Sequence, residues 1–580
     1  MTRSKSVLIA PSRRSRPVGI RHGEWLSWWR LVAVTSLLIP VLSGLAAAQV
    51  PPAPQSPRPA PAGQTINQTI KLTLDEAVLR AVDHNPDLAV VRLGIDAEAS
   101  RVGGSRSAFA PVLTSAFGRS SIAVPPTTAL LGTDAVQTGE WFGSAGLRQR
   151  LPKGGGSWSV TWDGSRTSTD SPFSSFDPSL QSGVLLAFSQ PLLKDRETDA
   201  ARHQYVIAQR NLASSELRFR ESLVQTVAAV KQAYWTLKAA RANLTVQQRS
   251  LELAEDLVRV NRARVEIGQA PPIDLVQAQA EAAQRREGLI QADAAARDAE
   301  DALRRLIMDP ADAAFWAVGL DPVSEPIDAA PAPDVAQAIA GAMQDRYDLA
   351  RARQDLDIAV TNVSFFRNQT LPDVRFEASY RTGGAGGTQI LRSGPFPGEI
   401  TGVARRNFGD VLGQLFTHEY PTWSVGVTAS YPIGQSYDEA NHARAEIERR
   451  QAAHRIASLE LQVAETVRRA ARQVQSTAER IEAARAGETL AVERLDVERK
   501  RFDAGLSTTF LVTQAQRDLL QAQVNRLQAT LDHQSAVVNF EAVQLAAPSA
   551  AGATMALRGA EVVAIPTPQP RGIFRPGGGQ

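Results

Sequence analysis

The sequence predicts a mixed fold: a membrane β-barrel continued by a long α-helical coiled-coil barrel, assembled as a homotrimeric tube in which each chain is a doubled unit. Three observations predict it. The chain of 580 residues repeats itself once. Each half holds a helix-period stretch far longer than a globular domain uses. Each half also holds short segments of strict two-residue alternation, apolar then polar.

In chain order, residues 1–30 carry Arg3, Lys5, Arg13, Arg14, Arg16, Arg21 and Arg30, and an apolar run from Leu31 to Ala48 follows. A basic start, an apolar stretch and small residues at Ala46 and Ala48 read as a secretory signal over 1–48, cleaved after Ala48. Pro40 and Gly44 interrupt the run and a Pro-rich linker (49–69) replaces a stop-transfer pattern, which argues against a transmembrane anchor. This segment holds seven of the 63 basic and one of the 60 acidic residues, leaving 56 against 59 in the remainder. The formal net charge of +3 therefore belongs to the signal, and nothing electrostatic favours nucleic-acid binding. With no cysteine, disulfides, Cys-ligated metals, thiol catalysis and an acyl anchor on a Cys are excluded.

The first repeat spans 70–308 and the second 334–547, joined by a Pro- and Asp-rich linker (309–333). Leu74-Asp75-Glu76-Ala77 through Asp87-Leu88 to Ala110-Pro111 matches Val335-Ala336-Gln337-Ala338 through Asp348-Leu349 to Leu371-Pro372, 261 residues on without a gap. Phe188-Ser189-Gln190-Pro191 matches Ala429-Ser430-Tyr431-Pro432, and Arg264 through Gly268 matches Arg501 through Gly505.

Each half has one plan: a helical lead-in, strands, a very long helix, a Gly turn and a second long helix. Leu223, Val230, Leu237, Leu244, Leu251, Val258 and Val265 recur at seven-residue spacing, a coiled-coil signature. No Pro or Gly occurs from Asp199 to Glu266, allowing a helix of about 100 Å at 1.5 Å per residue. Val467, Val474, Ile481, Leu495 and Phe502 form the corresponding row of the second half, with Ala470, Ala484 and Ala491 as small neighbours.

Strands are expected near 112–122, 183–192, 374–382 and 422–432. In 423–431 every odd residue is apolar and every even one small or polar, and Val374, Phe376, Ala378 and Tyr380 alternate with Arg375, Glu377 and Ser379. Aromatic residues at strand ends, lengths of about ten residues and an export signal favour a barrel with its apolar face in lipid over a sandwich. Four strands cannot close a barrel. Two chains would fill their own interior, so about three are needed for a duct. The first half has an extra hairpin at about 141–166, around Lys153-Gly154-Gly155-Gly156. If it joins the wall, each chain gives six strands and a trimer eighteen; if not, twelve.

The ordered set of these motifs resembles the outer-membrane efflux protein family, the TolC-like channels. It comprises the twofold repeat, Leu72-Thr73-Leu74-Asp75-Glu76-Ala77 through Asn85-Pro86-Asp87-Leu88, Phe188-Ser189-Gln190-Pro191-Leu192, Ala233-Tyr234-Trp235-Thr236-Leu237 and the two Arg-x-x-x-Gly turns. The resemblance covers about 70–546. It implies a homotrimeric channel in the Gram-negative outer membrane, reaching into the periplasm. Such a channel is the passive exit duct of a tripartite efflux or type I secretion system, joined by a periplasmic adaptor (membrane fusion) protein to an inner-membrane transporter. It further implies that the hairpin tips dock the adaptor and close the pore. The matching residues are Arg264, Glu266, Gly268, Ile273, Asp274 and Leu275 at the first tip, and Arg501, Asp503, Gly505, Leu506, Ser507, Leu511 and Gln514 at the second.

One departure stands out. Six and nine positions after the second Gly, where many members have acidic residues, this chain has Leu511 and Gln514; Asp274 lies six after the first. The expectation is a constriction gated by helix packing and by Arg264 and Arg501 more than by a carboxylate ring, with Glu266, Asp274 and Asp503 as possible substitutes. The alternative is a periplasmic coiled-coil adaptor or structural scaffold of the envelope, which accounts for the helices but not for repeated alternating strands. No enzyme is expected and no cofactor: the seven His form no metal-spaced set, and nucleophile-elbow, phosphate-loop and dinucleotide motifs are absent. A Gly- and Pro-rich tail, 548–580, is expected to be disordered.

Overall fold

A computed structural model describes residues 69–125, 135–171, 174–309, 311–312, 316–326, 332–395, 398–434 and 436–548. The expected signal, nearly all of the Pro-rich linker and of the tail, and parts of 309–333 lie outside the described residues.

The first repeat runs β1 (Thr69–Leu72), α1 (Leu74–His84), α2 (Pro86–Arg106), β2 (Val112–Val124), β3 (Val136–Arg150), β4 (Ser157–Thr169), β5 (Phe176–Pro191), α3 (Ala200–Glu266) and α4 (Pro272–Ile307). After β6 (Gly319–Pro322), the second runs α5 (Val335–Asp345), α6 (Tyr347–Gln369), β7 (Asp373–Ser393), β8 (Glu399–Arg406), α7 (Phe408–Thr417), β9 (Tyr420–Ser430), α8 (Tyr437–Asp503) and α9 (Thr509–Val543). Among the described residues no helix is long and apolar enough to cross a membrane.

Helix starts follow from capping chemistry. Thr73 Oγ1 accepts from the Glu76 N–H while Glu76 accepts from the Thr73 N–H, a reciprocal cap. Asn85 Oδ1 accepts from the Leu88 N–H ahead of Pro86. The repeated motifs are thus largely helix punctuation. They also fasten each hairpin: Asn85 Nδ2 donates to the Leu306 carbonyl (3.1 Å), and Arg346, at the same repeat position, donates to the Val543 carbonyl (3.1 Å). Tyr234, fully buried, donates to the Leu72 carbonyl and accepts from the Ser324 N–H, fixing the parallel β1–β6 pair against α3.

α3 and α8 each have 67 residues, about 100 Å. In α8 the expected row Val467, Val474, Ile481, Leu495 and Phe502 is buried. In α3 the buried seam leaves the strict heptad below Leu237 and runs through Ser250, Ala254, Leu257 and Asn261. The physical reason is that a straight helix drifts about 20° per heptad. Leu244, Leu251, Val258 and Val265 are left half-buried.

The strands form one antiparallel sheet ordered β2-β3-β4-β5-β7, with β9 and β8 both on the far side of β7. The extra hairpin is therefore part of the sheet, inserted between β2 and β5, and six strands stand abreast where four were expected and two left open. Cross-strand register puts Leu113, Leu147, Val160, Leu186, Tyr380 and Trp423 in rows on one face, and Arg148, Asp163, Arg381 and Ser424 on the other. Gln190, within the Phe188–Leu192 motif, donates to the Gly154 carbonyl and so holds the hairpin's turn (2.6 Å).

β7 does not end at Thr382, as the pattern suggested, but continues through Gly383-Gly384-Ala385-Gly386-Gly387 to Ser393. Those glycines are a seat rather than a turn. A Cβ on Gly384 would lie 2.3 Å from the Val411 carbonyl oxygen, and one on Gly386 2.6 Å from the Val411 side chain. α7 fills that seat with Val411, Gln414 and Leu415, on the apolar face. β9 stops pairing at Gly383 and β8 starts at Gly387, leaving the β7 edge open between them. The Gln414 side chain closes the gap, accepting from the Ala385 N–H (2.9 Å) and donating to its carbonyl (3.3 Å).

Candidate functional site

The two hairpin turns are built alike. Gly268 and Gly505 both have φ of +75°, which a non-glycine residue adopts at a cost. Gln269 N–H donates to the Arg264 carbonyl and Leu506 N–H to the Arg501 carbonyl, each at 2.8 Å, the six-to-one bond of a Schellman ending. Each arginine thus supplies the carbonyl that its own turn closes upon.

The side chains of these arginines part company. Arg264 reaches across to the second hairpin, stacking 4.0 Å over the Phe502 ring and donating to its carbonyl (3.1 Å). Arg501 stays on its own helix beside Glu498, which also accepts from Ser507. Glu266 and Asp503 are exposed, and Asp274 sits in the first turn of α4, where a carboxylate suits the helix N-terminus. Gln514 donates to Asp518 (2.8 Å) rather than to a neighbouring hairpin. Leu506, 80% exposed, and the exposed Ile273, Leu511 and Phe510 form an apolar tip, while Leu275 is half-buried.

A second layer links the hairpins and was not singled out from sequence. Thr509 Oγ1 donates to Asn261 Oδ1 (3.0 Å) between two buried side chains of α9 and α3, and Gln516 donates to the Leu253 carbonyl. About two turns beyond Thr509, Glu281 of α4 is buried and accepts from Arg517 of α9 (3.0 Å), with Arg285 alongside. Burial raises the Glu281 carboxyl, but the Arg517 hydrogen bond and the charges of Arg285 and Arg517 outweigh it and hold the group below its ordinary value of 4.5. Arg517 is correspondingly raised, chiefly by its bond to Glu281.

A carboxyl depressed by folding stabilises above its unfolded pKa and stops doing so as pH falls through the folded one. The α4–α9 contact should therefore be constant from neutral pH down to about 4.5 and weaken below it. Protection from hydrogen exchange at 509–519, taken relative to the intrinsic rate at each pH, should fall on acidification in the wild type and lose that acid dependence in Glu281→Gln. A flat profile in the wild type would contradict the assignment.

The arrangement offers apolar contact at two tips and a polar clamp between hairpins, and the described residues include no cluster of three or more His, Asp or Glu that could hold a metal ion. The family model described as outer membrane efflux protein matches residues 78–307 and 338–543. Comparison with curated proteins gives no significant sequence match. Among solved structures, the chain is similar to a membrane protein from Pseudomonas aeruginosa (17% identity, 85% of this chain and 97% of that one, TM-score 0.58). It is also similar to the Campylobacter jejuni CmeC outer membrane channel (14%, 81% and 85%, TM-score 0.57). A third similar structure is the outer membrane protein VceC from Vibrio cholerae (17%, 82% and 96%, TM-score 0.56). At these identities the likeness concerns the fold, a tube of helices and sheet.

Proposed function

The chain belongs to the outer membrane efflux protein family, and on that premise we propose that this outer-membrane efflux channel works as a homotrimer, the passive exit duct of a tripartite efflux or type I secretion system. The helices extend into the periplasm, and the tips meet an adaptor that joins the duct to an inner-membrane transporter. The sheet crosses the outer membrane with its apolar face in lipid.

The observation that carries the reading is the pairing of one sheet, apolar on one face and polar on the other, with two helical hairpins that end in exposed apolar tips. An open-edged sheet cannot stand in lipid, so chains must close it together. Six strands per chain remove the earlier lower bound, because two chains would already bring twelve; the trimer rests on the family resemblance. Three chains give an eighteen-strand barrel, about half as wide again as twelve strands would be, since diameter grows roughly linearly with strand number. Each chain contributes four helices at each level of the helical part, so the barrel is wider than a twelve-helix tube alone requires.

Because the chain has no cysteine, Leu506→Cys gives a single reactive tip. In cells it should cross-link to a periplasmic adaptor, while the protein should need detergent for extraction and run as a heat-sensitive trimer. Extraction by salt alone, with no adduct at the tip, would point to the scaffold reading.

A further inference from the structure

The chain contains one complete joint between its two repeats and the two unjoined halves of a second. In the complete joint β5, the last strand of the first repeat, runs antiparallel to β7, the first strand of the second, with Ser189 opposite Glu377 and Phe188 opposite Ala378. Beyond the strand, the Leu192 N–H donates to the Val374 carbonyl (2.8 Å). Among the helices, Arg210 of α3 pairs with Asp357 of α6 (3.0 Å), and Arg351 of α6 with Glu221 of α3 (2.7 Å). The equivalent strands at the other ends of the repeats, β9 and β2, stand at opposite edges of the sheet. Neither has a strand on its outer side among the described residues.

The repeat carries the complete joint onto the open edges residue by residue. Pro432 lies 241 positions after Pro191, and Pro111 lies 261 before Pro372. β9 of one chain is thereby set antiparallel to β2 of the next, with Ser430 opposite Ala116 and Ala429 opposite Phe117. The Ile433 N–H then meets the Leu113 carbonyl. This register agrees with the pleat. Val425 and Ala429, on the face that carries Trp423, fall opposite Ser121 and Phe117, on the face that carries Leu113. A slip of one residue would set the apolar face against the polar one. Leu113, Phe117, Val425 and Ile433 are all exposed in the single chain.

The helical part of the second joint has a different chemistry. α3 and α8, of 67 residues each, start 237 positions apart, at Ala200 and Tyr437. Ile447 therefore stands where the first joint has Arg210, Ser458 where it has Glu221, and Val90 of α2 where it has Arg351. Neither ion pair can recur. Val90, Leu93 and Ile447, exposed in the single chain, offer apolar surface instead.

We infer that each open edge takes a second copy of this chain, head to tail, in the register of the internal joint, with apolar contact between α8 and α2 where the chain's own joint is ionic. A head-to-tail contact closes into a ring when its rotation permits. The inference rests on the channel reading and gives its oligomer a specific interface.

The test uses the full chain, which has no cysteine of its own. Ser430 and Ala116 correspond to Ser189 and Glu377, three positions from the bonded Leu192–Val374 pair. They therefore form an unbonded antiparallel pair, with Cα atoms about 4.5 Å apart and within disulfide reach. Oxidation of Ser430→Cys/Ala116→Cys in membranes should shift the monomer band to covalent dimers and trimers. Ser430→Cys/Phe117→Cys, one residue out of register, should stay monomeric on the same gel. Val90→Glu/Ile447→Glu alters positions exposed in the single chain, so the chain should fold while the temperature at which the oligomer dissociates falls. Val90→Leu should leave that temperature unchanged. Cross-linking that is equal at both registers, confined to the shifted one or absent from both would overturn the inference, as would a Glu variant that dissociates like the wild type. If the reduced cysteine variants assemble and conduct in planar bilayers but do not cross-link in register, this inference alone fails; if the wild type forms no membrane oligomer, the channel reading fails with it.

Discussion

Replacing Arg517 by Met should loosen the second hairpin from the first and raise single-channel conductance. Glu281 has a side chain only 2% exposed, so losing a partner leaves a desolvated carboxylate. The cost should be about 1–2 kcal/mol, below the roughly 3–5 kcal/mol of a wholly buried pair. Arg517 is 49% exposed and therefore screened, and Arg285 remains beside the carboxylate. The triple variant Glu281→Leu/Arg285→Leu/Arg517→Leu separates stability from gating. It removes all three charges, so stability should recover most of the loss, yet the hairpins stay unlinked and conductance should stay high. Conductance at the wild-type value in both variants would mean that the pair holds the fold and not the pore.

The second large effect is expected at Gln414. Gln414→Leu keeps the volume but strips the Ala385 N–H and carbonyl of their partner, in the gap between β9 and β8. Each orphaned group costs up to about 1–3 kcal/mol where water is excluded, as it is on the proposed lipid-facing wall. A destabilisation of about 2–4 kcal/mol per chain follows, read as a clear drop in the temperature at which the oligomer dissociates. Gly409→Ala is the control. It lies on the same short helix with nothing near its added methyl group, and should leave that temperature unchanged. Equal behaviour of the two variants would contradict the ladder role of Gln414.

These two sites show where sequence reasoning stops. The α8 row was legible because Val467, Val474, Ile481, Leu495 and Phe502 meet their partners through the helix's own period. The strands were legible because alternation states which face is apolar. Glu281 and Arg517 were not: on a long helix a charged residue is ordinarily solvated, and its partner here is 236 positions away. The expected strand stopped at 382, where its alternation gives way to the Gly383–Gly387 run, and β8 and α7 had no place in the pattern. The extra hairpin was visible, but whether it joined the wall depended on pairing with β2 and β5, which alternation alone does not specify. At the tips, both Gly turns were legible, whereas the different fates of Arg264 and Arg501 depend on the two hairpins' placement.

On the proposed reading, three chains close one continuous barrel with the hairpin in its wall. Electron cryomicroscopy of the protein extracted from outer membranes tests it most directly. The expected map has three chains, eighteen strands with β3 and β4 between β2 and β5 of every chain, and twelve helices at each level below. A barrel of twelve strands with the hairpin displaced from the wall, or an assembly with no closed barrel, would contradict it.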